Sequence, residues 1–181
     1  ILWENKGDFE SRKPHNRPSL HPTSMNPKLA RCIVNIVNSK TITDPFCGSG
    51  GILLESGLMG LKTIGYDIDK AMIGRAKTNL DFYKIKNYKL KLQDATKINK
   101  KILGVVIDLP YGKSSKLTDE LNNLYKNFLN ALKKHKKGRA VVCFPDFVNY
   151  KKLIKQSGLK IDKEFSHYLH KSLTKKIIVI S

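Results

Sequence analysis

Short apolar runs alternate with segments of helical periodicity along most of this chain. Thr41 to Asp44 and Lys62 to Asp67 are β-rich stretches that end in an acid, and apolar residues recur at helical spacing after each of them. Such alternation predicts βα units, whose parallel strands form a sheet covered by helices on both faces. The predicted strands are Thr41 to Asp44, Lys62 to Asp67, Tyr88 to Leu92, Ile102 to Ile107 and Ala140 to Phe144, and the predicted helices are Asn26 to Asn38, Ile52 to Leu58, Lys70 to Tyr83, Leu117 to Leu132 and Phe147 to Gln156.

The pattern changes after Gly158. Leu159 to His167 and Lys175 to Ile180 are rich in β-forming residues, and the segment between them, Tyr168 to Thr174, is too short to hold a crossover helix. These two strands are therefore expected to pair antiparallel. The predicted fold class is α/β, a seven-stranded and mostly parallel sheet with helices on both faces and an antiparallel strand from a C-terminal hairpin.

The amino-terminal segment differs from the rest in composition. Residues 1–24 hold Trp3, Pro14, Pro18 and Pro22 and have the character of an extended arm or linker. Residues 25–181 suit a single domain, since a typical domain holds about 100 to 200 residues. Because the sequence opens on isoleucine rather than methionine, we expect a further amino-terminal domain outside it.

Charge narrows the class of partner. The 181 residues include 34 Lys and Arg against 15 Asp and Glu, a formal net charge of +19. The basic excess gathers at residues 84–101, 133–139 and 151–176. A polyanion such as a nucleic acid is the natural partner of such a surface. The alternative is a lysine-rich surface that has no specific partner.

Cysteine spacing and hydropathy bear on the compartment. The three cysteines, Cys32, Cys47 and Cys143, are widely spaced, which argues against a disulfide framework or a zinc site and favours a reducing cytoplasm. No apolar run approaches the roughly 18 residues of a membrane span, so no membrane segment is predicted. The histidines His21, His167 and His170 lack cysteine partners, and we assign no metal site to them.

The first candidate site follows a buried strand. Asp108-Leu109-Pro110-Tyr111 comes directly after the apolar run Leu103 to Ile107, at the edge of the sheet where ligands of open α/β folds bind. The exocyclic amine of a nucleobase has two N–H donors, and Asp108 with the backbone carbonyl of Leu109 or Pro110 can accept both. Tyr111 can stack on the base. The motif suggests chemistry on a nucleobase amine only in combination with the glycine-rich motif at residues 44–51, and neither motif alone carries that interpretation.

The second candidate site is the glycine-rich turn between the first strand and its helix. Gly48, Gly50 and Gly51 allow a ligand to approach the backbone and the helix N-terminus, although a single glycine turn at this place often has only a geometric role. Leu53 stands where the dinucleotide fingerprint G-x-G-x-x-G needs its third glycine. The spacing therefore favours adenosylmethionine over a pyrophosphate.

Three acids that follow strands complete the candidate cofactor site. Asp67 ends the second strand, where an acid can accept from both hydroxyls of a ribose. Asp69 is expected to cap the next helix. Asp94 follows the third strand, where it either accepts from an adenine amine or caps a turn, and both interpretations stay open.

Together these motifs resemble those of Rossmann-fold methyltransferases that act on exocyclic amines, and closely those of the catalytic domain of the archaeal tRNA guanosine-10 N2-methyltransferase family. The resemblance covers nearly the whole chain. Relatives usually have Asp-Pro-Pro-Tyr, and Leu109 departs from that pattern while its carbonyl stays available. The motifs that carry the resemblance are Arg17-Pro18 with residues 21–31, residues 44–51, Gly65 to Asp69, Asp108 to Gly112, and His170 to Thr174.

The resemblance implies a Rossmann-like class I methyltransferase that transfers a methyl group from S-adenosylmethionine to the N2 amine of a guanosine, guanosine-10, in tRNA. It also implies an amino-terminal THUMP domain and, for some relatives, a small zinc-binding activator protein as partners. The implied catalytic residues are Asp108, Leu109, Pro110 and Tyr111, and the implied cofactor-binding residues are Ser24, Met25, Asp44, Phe46, Gly48, Gly50, Asp67, Ile68, Asp94, Ala95 and Asp108.

Three other functions stay open on the sequence. A DNA methyltransferase, or one acting on another RNA, would use the same Asp-Pro-Tyr chemistry. A nucleic-acid-binding module with a degenerate cofactor site would keep the basic surface, although the acids Asp44, Asp67, Asp94 and Asp108 are all present. A nicotinamide dehydrogenase is disfavoured by the broken glycine fingerprint.

Overall fold

The computed structural model describes residues 8–20, 24–111, 115–171 and 173–181. Five residues of the sequence motifs, His21, Pro22, Thr23, Gly112 and Ser172, lie outside these ranges. Within them the strands are β1 (Thr41–Asp44), β2 (Lys62–Asp67), β3 (Tyr88–Leu92), β4 (Ile102–Asp108), β5 (Lys136–Pro145), β6 (Ile161–His170) and β7 (Leu173–Ile180). The helices are α1 (Pro27–Val37), α2 (Gly51–Leu58), α3 (Lys70–Phe82), α4 (Ser115–His135) and α5 (Tyr150–Gln156), and Pro14–Asn16 and Ala95–Lys97 are 3-10 turns.

The strands form one sheet in the order β3-β2-β1-β4-β5-β7-β6. Strands β1 to β5 pair in parallel, and β7 lies antiparallel between β5 and β6. This confirms the predicted fold class, including the antiparallel hairpin. The strand order reverses where β1 meets β4, and ligands of open α/β sheets bind at the carboxyl ends of strands at such a point. Asp44 and Asp108 are the last residues of these two strands.

Both faces of the sheet are buried at its central strands. On one face, Val105 and Ile107 of β4 pack with the apolar residues of α4 and α5. On the other, Val106 packs with Ile33 and Val34 of α1. Because successive side chains of a strand point to opposite faces, burial on both sides explains why β4 is a continuous apolar run. Among the described helices, none has an apolar stretch long enough to cross a membrane.

Most predicted elements are confirmed, and the bounds of β2 and β3 are as predicted. Strand β5 begins at Lys136 rather than Ala140, because the polar residues at its start pair with Ile102 and Leu103 of β4. Such pairing is a tertiary effect that the local pattern does not contain.

The predicted start of α5 and the predicted hairpin connection were wrong. Helix α5 begins at Tyr150 rather than Phe147, because the side chain of Asn149 accepts from the Lys152 amide at 3.2 Å and caps the helix there. Residues 168–174 are not a loop, since β6 and β7 continue through most of this segment and pair up to the turn. The polar residues of the segment are compatible with strands because β6 is an exposed edge strand.

The described part of the amino-terminal arm, residues 8–20, packs against α2 and α3. Arg12 donates from its Nε to the Oε1 of Glu55 at 2.8 Å, and the Glu55 side chain is fully buried. The backbone amide of Ser19 donates to Asn79 Oδ1 at 3.0 Å. The arm is therefore held beside the glycine-rich turn, since both of its partners lie on the helices that flank this turn. The division into an arm and a domain at residue 24 stays a prediction.

Candidate active site

A cleft of about 520 Å³ opens at the carboxyl ends of β1 to β4. It brings together most of the residues predicted to form the site, from five separate segments of the chain. The predicted residues that line it are Ser24, Met25, Asp44, Phe46, Gly48, Asp67, Ile68, Asp94, Ala95, Asp108 and Pro110, and the other lining residues are Pro45, Cys47, Ser49, Gly51, Ile52, Asp69, Met72 and Leu124.

The glycine-rich turn exposes the N-terminus of α2. Gly48 and Gly50 have φ angles of 50° and 84°, in the left-handed region that glycine adopts without steric cost. Gly50 precedes the helix, and its carbonyl accepts from the Leu54 amide at 2.8 Å, so the amides at the start of α2 have no partner within the helix. Asn79 donates from Nδ2 to the Ser49 carbonyl at 2.9 Å and fixes the turn. Asn79 was not among the residues predicted from the sequence, although a polar residue beside the apolar face of a helix was an available signal.

Asp67 joins the end of β2 to the glycine-rich turn. Its Oδ2 accepts from the Gly48 amide at 2.8 Å, and its Oδ1 accepts from the Asp69 amide at 2.9 Å. Each carboxylate oxygen has a second lone pair, so Asp67 can still accept from two hydroxyls. Asp69 accepts from the Ala71 amide at 2.7 Å, which confirms that it caps α3. Ile68 lies between the two acids in the sequence, is 74% exposed as a residue, and gives the cleft an apolar surface.

Asp94 caps the short turn Ala95–Lys97. Its Oδ1 accepts from the amide of Thr96 at 2.8 Å and from the Thr96 hydroxyl at 2.7 Å. Although burial works against ionisation, these hydrogen bonds hold the pKa of Asp94 below its usual value. The capping interpretation is therefore confirmed. Because Asp94 also lines the cleft, a role towards an adenine stays a prediction.

Negative charge is concentrated where β1 and β4 end. Asp44 is 1% exposed, and its Oδ1 accepts from the Phe46 amide at 3.0 Å. Burial raises the pKa of Asp44 well above its usual value, the Phe46 amide opposes the rise, and the neighbouring carboxylates of Asp108 and Asp67 add to it. An acidic cleft in a chain of net charge +19 suits a ligand that carries positive charge.

Asp108 has a partner that the sequence analysis missed. Lys175, on β7, donates from Nζ to Asp108 Oδ2, and the two side chains are only 5% and 16% exposed. Burial raises the pKa of Asp108, and Lys175 opposes this rise. The Lys175 Nζ also lies 5.5 Å from the centroid of the Tyr111 ring. A signal was available, since Lys175 alternates with Leu173 and Ile177 on the buried face of β7.

The loop after β4 is held from two sides. The Tyr125 hydroxyl donates to the carbonyl of Pro110, and the amide of Leu109 donates to the Cys143 carbonyl at 3.2 Å. The Leu109 side chain is buried in the core, so this residue anchors the loop rather than lining the cleft. Tyr111 and Gly50 do not line the cleft either: Tyr111 lies beside Lys175, and Gly50 ends the turn before α2.

The fold and this cleft agree with a methyltransferase domain, which is the class of protein that comparison with known families gives. The chain belongs to the RMKL-like methyltransferase domain family, whose model matches residues 14–175. It is 38% identical over 184 residues to the tRNA (guanine(10)-N2)-dimethyltransferase of Methanothermobacter thermautotrophicus, and the match covers 97% of this chain and 54% of that protein. The corresponding protein of Pyrococcus abyssi is 36% identical, with 96% and 54% covered. The chain thus spans about half the length of these curated relatives.

One further curated relative agrees with the family assignment, and solved structures agree with the fold. A protein of Methanothermococcus thermolithotrophicus, named probable tRNA (guanine(10)-N2)-dimethyltransferase, is 34% identical, and the match covers 84% of this chain and 96% of that protein. Among solved structures, TrmN from Thermus thermophilus superposes with a TM-score of 0.75 at 18% identity, over 96% of this chain and 52% of that one. Magnesium protoporphyrin IX methyltransferase from Synechocystis PCC 6803, solved with bound SAM, superposes with a TM-score of 0.66 at 14% identity, over 85% and 78%. These two structures support the fold.

Proposed function

We propose that this domain transfers methyl groups from S-adenosylmethionine to the exocyclic N2 amine of guanosine-10 in tRNA. The observation that supports this most directly is Asp108 at the end of β4, in the same cleft as the glycine-rich turn and next to the fixed carbonyl of Pro110. The relatives at 34% to 38% identity are named for this reaction. Their name specifies dimethylation, and we extend two methyl transfers to this chain.

The described residues fit S-adenosylmethionine, which supplies a methyl carbon made electrophilic by its sulfonium. The acidic cleft suits the positive charges of the sulfonium and the α-ammonium group. Asp67 would accept from the ribose hydroxyls, Asp94 and the Ala95 amide would meet the adenine, and Ile68 would cover one face of the base. The remaining residues proposed to hold the cofactor are Ser24, Met25, Asp44, Phe46 and Gly48, and Gly50 would contribute by shaping the turn before α2.

Asp108 and the carbonyl of Pro110 are placed to accept from the target amine. Lys175 occupies Oδ2 of Asp108, which leaves Oδ1 for one N–H of the amine. The Pro110 carbonyl, oriented by the Tyr125 hydroxyl, can accept the second N–H through its other lone pair. The guanine amine is a weak nucleophile because its lone pair is delocalised into the ring. Two acceptors would orient that lone pair and stabilise the positive charge that develops on nitrogen.

The basic surface would supply affinity for tRNA. Lysines that contact phosphates release counterions, so binding should weaken steeply as salt is raised. A guanosine within a stem has to leave the stack at a cost of a few kcal/mol, and stacking on Tyr111 would offset part of this cost. We further propose that a THUMP domain shares tRNA binding in the whole protein, and that a small zinc-binding activator is a second candidate partner. The proposed compartment is the cytoplasm, where free thiols such as Cys47 and Cys143 persist.

The reaction is tested with tRNA transcripts that carry either guanosine or adenosine at position 10, together with duplex DNA of the same sequence. Transfer of labelled methyl groups to the guanosine transcript alone supports the proposal, and the mass of the modified nucleoside counts the groups. Transfer to DNA would instead support a DNA methyltransferase. Saturable binding of S-adenosylmethionine that is lost in Asp67→Ala, measured by calorimetry with a nicotinamide dinucleotide as competitor, separates a working cofactor site from a degenerate one.

Asp108→Ala separates chemistry from cofactor binding. We expect this variant to lower kcat by about 100- to 1000-fold, the usual effect of removing a group that stabilises transition-state charge. Its affinity for S-adenosylmethionine should change by less than about twofold, because we assign Asp108 to the substrate amine and not to the cofactor, although the resemblance implies both roles. Asp119→Ala, at an exposed position on α4, is the matched control. An equal loss of cofactor affinity in Asp108→Ala would contradict the assignment.

A further inference from the structure

Arg17, in the amino-terminal arm, is buried with an incomplete set of hydrogen bonds. The residue is 5% exposed, and its Nε donates to the Arg12 carbonyl at 2.8 Å. Its two terminal nitrogens, NH1 and NH2, are closed to solvent and have no hydrogen-bond partner among the described residues. Burying charged N–H donors without an acceptor is unfavourable, since nothing replaces the water they give up. An acceptor is therefore expected at this place.

The nearby acidic side chain is already committed. Glu55 of α2 accepts from Arg12 at 2.8 Å and from Arg31 at 3.0 Å. Arg12 and Arg31 thus share the single negative charge of Glu55, and Arg17 is the buried arginine of the described arm, residues 8–20, that has no direct carboxylate partner. Burial lowers the pKa of Arg17, while the charge interactions with Tyr83 and Glu55 oppose this change, and the group stays charged at neutral pH.

The guanidinium of Arg17 faces the first residue of α2. A Cβ placed on Gly51 would lie 3.0 Å from NH1 and 3.6 Å from NH2, so the absence of a side chain at Gly51 lets the guanidinium approach the helix. The amide groups at this helix end have no helical partner, and the end carries a partial positive charge. A cation and the positive end of a helix lie side by side, and such an arrangement binds an anion.

The charges of the residues that line the cleft limit which anion can bind at this helix end. Ser49, Gly51 and Ile52 line the cleft at this helix end, whereas Asp44, Asp67 and Asp108 line the rest of it. A polyanion such as RNA would meet these carboxylates and be repelled. A zwitterion, with one carboxylate beside positive or neutral groups, would match both parts of the cleft.

We propose that Arg17 and the N-terminus of α2 bind the carboxylate of the methionine moiety of S-adenosylmethionine. The inference rests on the proposed function, because it assigns one end of that cofactor. A planar guanidinium can donate two parallel hydrogen bonds to a carboxylate, and the helix amides can donate to the other side of it. Because NH1 and NH2 are closed to solvent, binding requires a small shift of the arm or of the Arg17 side chain.

The test compares two ligands on one set of variants. S-adenosylmethionine and its decarboxylated form share the adenosine, the sulfonium and the amine, and differ by the carboxylate alone. Calorimetry gives the affinity of each for the wild-type chain, for Arg17→Met and for Arg17→Lys. Arg12→Met is the matched control, because Arg12 is also a buried arm arginine but is bonded to Glu55. Thermal melting checks that each variant is folded.

We expect Arg17→Met to weaken S-adenosylmethionine binding by about tenfold to a hundredfold, the value of hydrogen bonds to a charged group, and to leave the decarboxylated ligand within about twofold. The affinity of Arg17→Lys for S-adenosylmethionine should lie between those of the wild-type chain and Arg17→Met, because lysine keeps the positive charge but lacks the planar guanidinium that donates two parallel hydrogen bonds. Arg12→Met should change both ligands equally. The ratio of the two affinities within one variant does not depend on the folded fraction.

Three results would overturn the assignment. Equal weakening of both ligands in Arg17→Met would show that Arg17 supports the arm rather than a carboxylate. Unchanged binding of both ligands would show that it contacts neither. Weaker tRNA binding with an unchanged affinity ratio would assign Arg17 to an RNA phosphate. Failure of the wild-type chain to bind S-adenosylmethionine at all would count against the proposed function as well, and is distinguished by that first measurement.

Discussion

Replacing Lys175 by methionine should raise the pH below which kcat falls. The Lys175 ammonium bonds to Oδ2 of Asp108 at a site where both side chains are largely buried. Methionine keeps most of the apolar stem of lysine and removes the charge together with the N–H donors. The acceptor proposed for the target amine is the ionised carboxylate of Asp108, so kcat should fall as the pH drops below the Asp108 pKa. Any change that raises this pKa moves the fall to higher pH.

The size of the shift follows from the surroundings of Asp108. Burial raises its pKa above the usual 3.8, and Lys175 opposes the rise through charge and through a hydrogen bond. An opposite charge in contact typically lowers a carboxyl pKa by about 1 to 3 units, so Lys175→Met should raise the Asp108 pKa by that amount. Each unit corresponds to about 1.4 kcal/mol of differential stabilisation of the ionised form. The acid limb of the kcat profile should therefore move upwards by about 1 to 3 pH units.

The assay is the pH dependence of kcat for methyl transfer to tRNA at saturating cofactor. Lys176→Met is the matched control, because Lys176 is the next residue of β7, points to the other face and bonds to the Ser166 hydroxyl at 2.9 Å. Both variants remove one lysine from the same strand, and only Lys175→Met should shift the profile. Lys175→Arg should restore most of it. An acid limb that stays at its wild-type position in Lys175→Met would refute the reasoning, as would an equal shift in Lys176→Met.

Two further predictions concern stability. Because burial raises the folded-state pKa of Asp44, its contribution to stability is present below the ordinary value of 3.8 and is lost as the pH rises through the folded value. Asp44→Asn should flatten this part of the pH dependence in urea melts, and an unchanged difference from wild type across the range would contradict it. Glu55→Gln leaves two buried or half-buried arginines without their anion, and should lower the free energy of unfolding by about 3 to 5 kcal/mol in the same melts. A loss below about 1 kcal/mol would show that Arg12 and Arg31 find other acceptors.

The bounds of a strand or helix could be predicted where residues next to it in the sequence end it. Strands β2 and β3 have the predicted bounds because acids or polar residues follow their apolar runs directly. The cap of α3 was predictable for the same reason, since Asp69 bonds to an amide two residues away. The start of β5 was not, because its first residues are polar and are held by pairing with β4.

The candidate site, like the fold, contains some residues that could be predicted from local sequence and others that could not. The residues at strand ends, such as Asp67 and Asp108, could be located because parallel strands deliver their carboxyl ends to one edge of the sheet. The surroundings of Lys175 and Arg17 could not be predicted, because Lys175 bonds to Asp108 on another strand and Arg17 packs against Gly51 at the start of α2. A lysine among many lysines, or an arginine in a proline-rich arm, has no local pattern that reveals its partner.

The position of β7 between β5 and β6 has a consequence for the order in which the site is made. Asp108 and Lys175 are separated by 67 residues, so a ribosome working at about 5 to 20 residues per second makes the lysine roughly 3 to 13 s after the aspartate. Until β7 emerges, the edge of β5 is open, β6 has no place in the sheet, and the buried acid lacks its counter-charge. Formation of the complete Asp108–Lys175 pair is thereby coupled to the last step of assembly, and a nascent chain that stalls before Leu173 carries one unplaced strand, β6, and an uncompensated carboxylate.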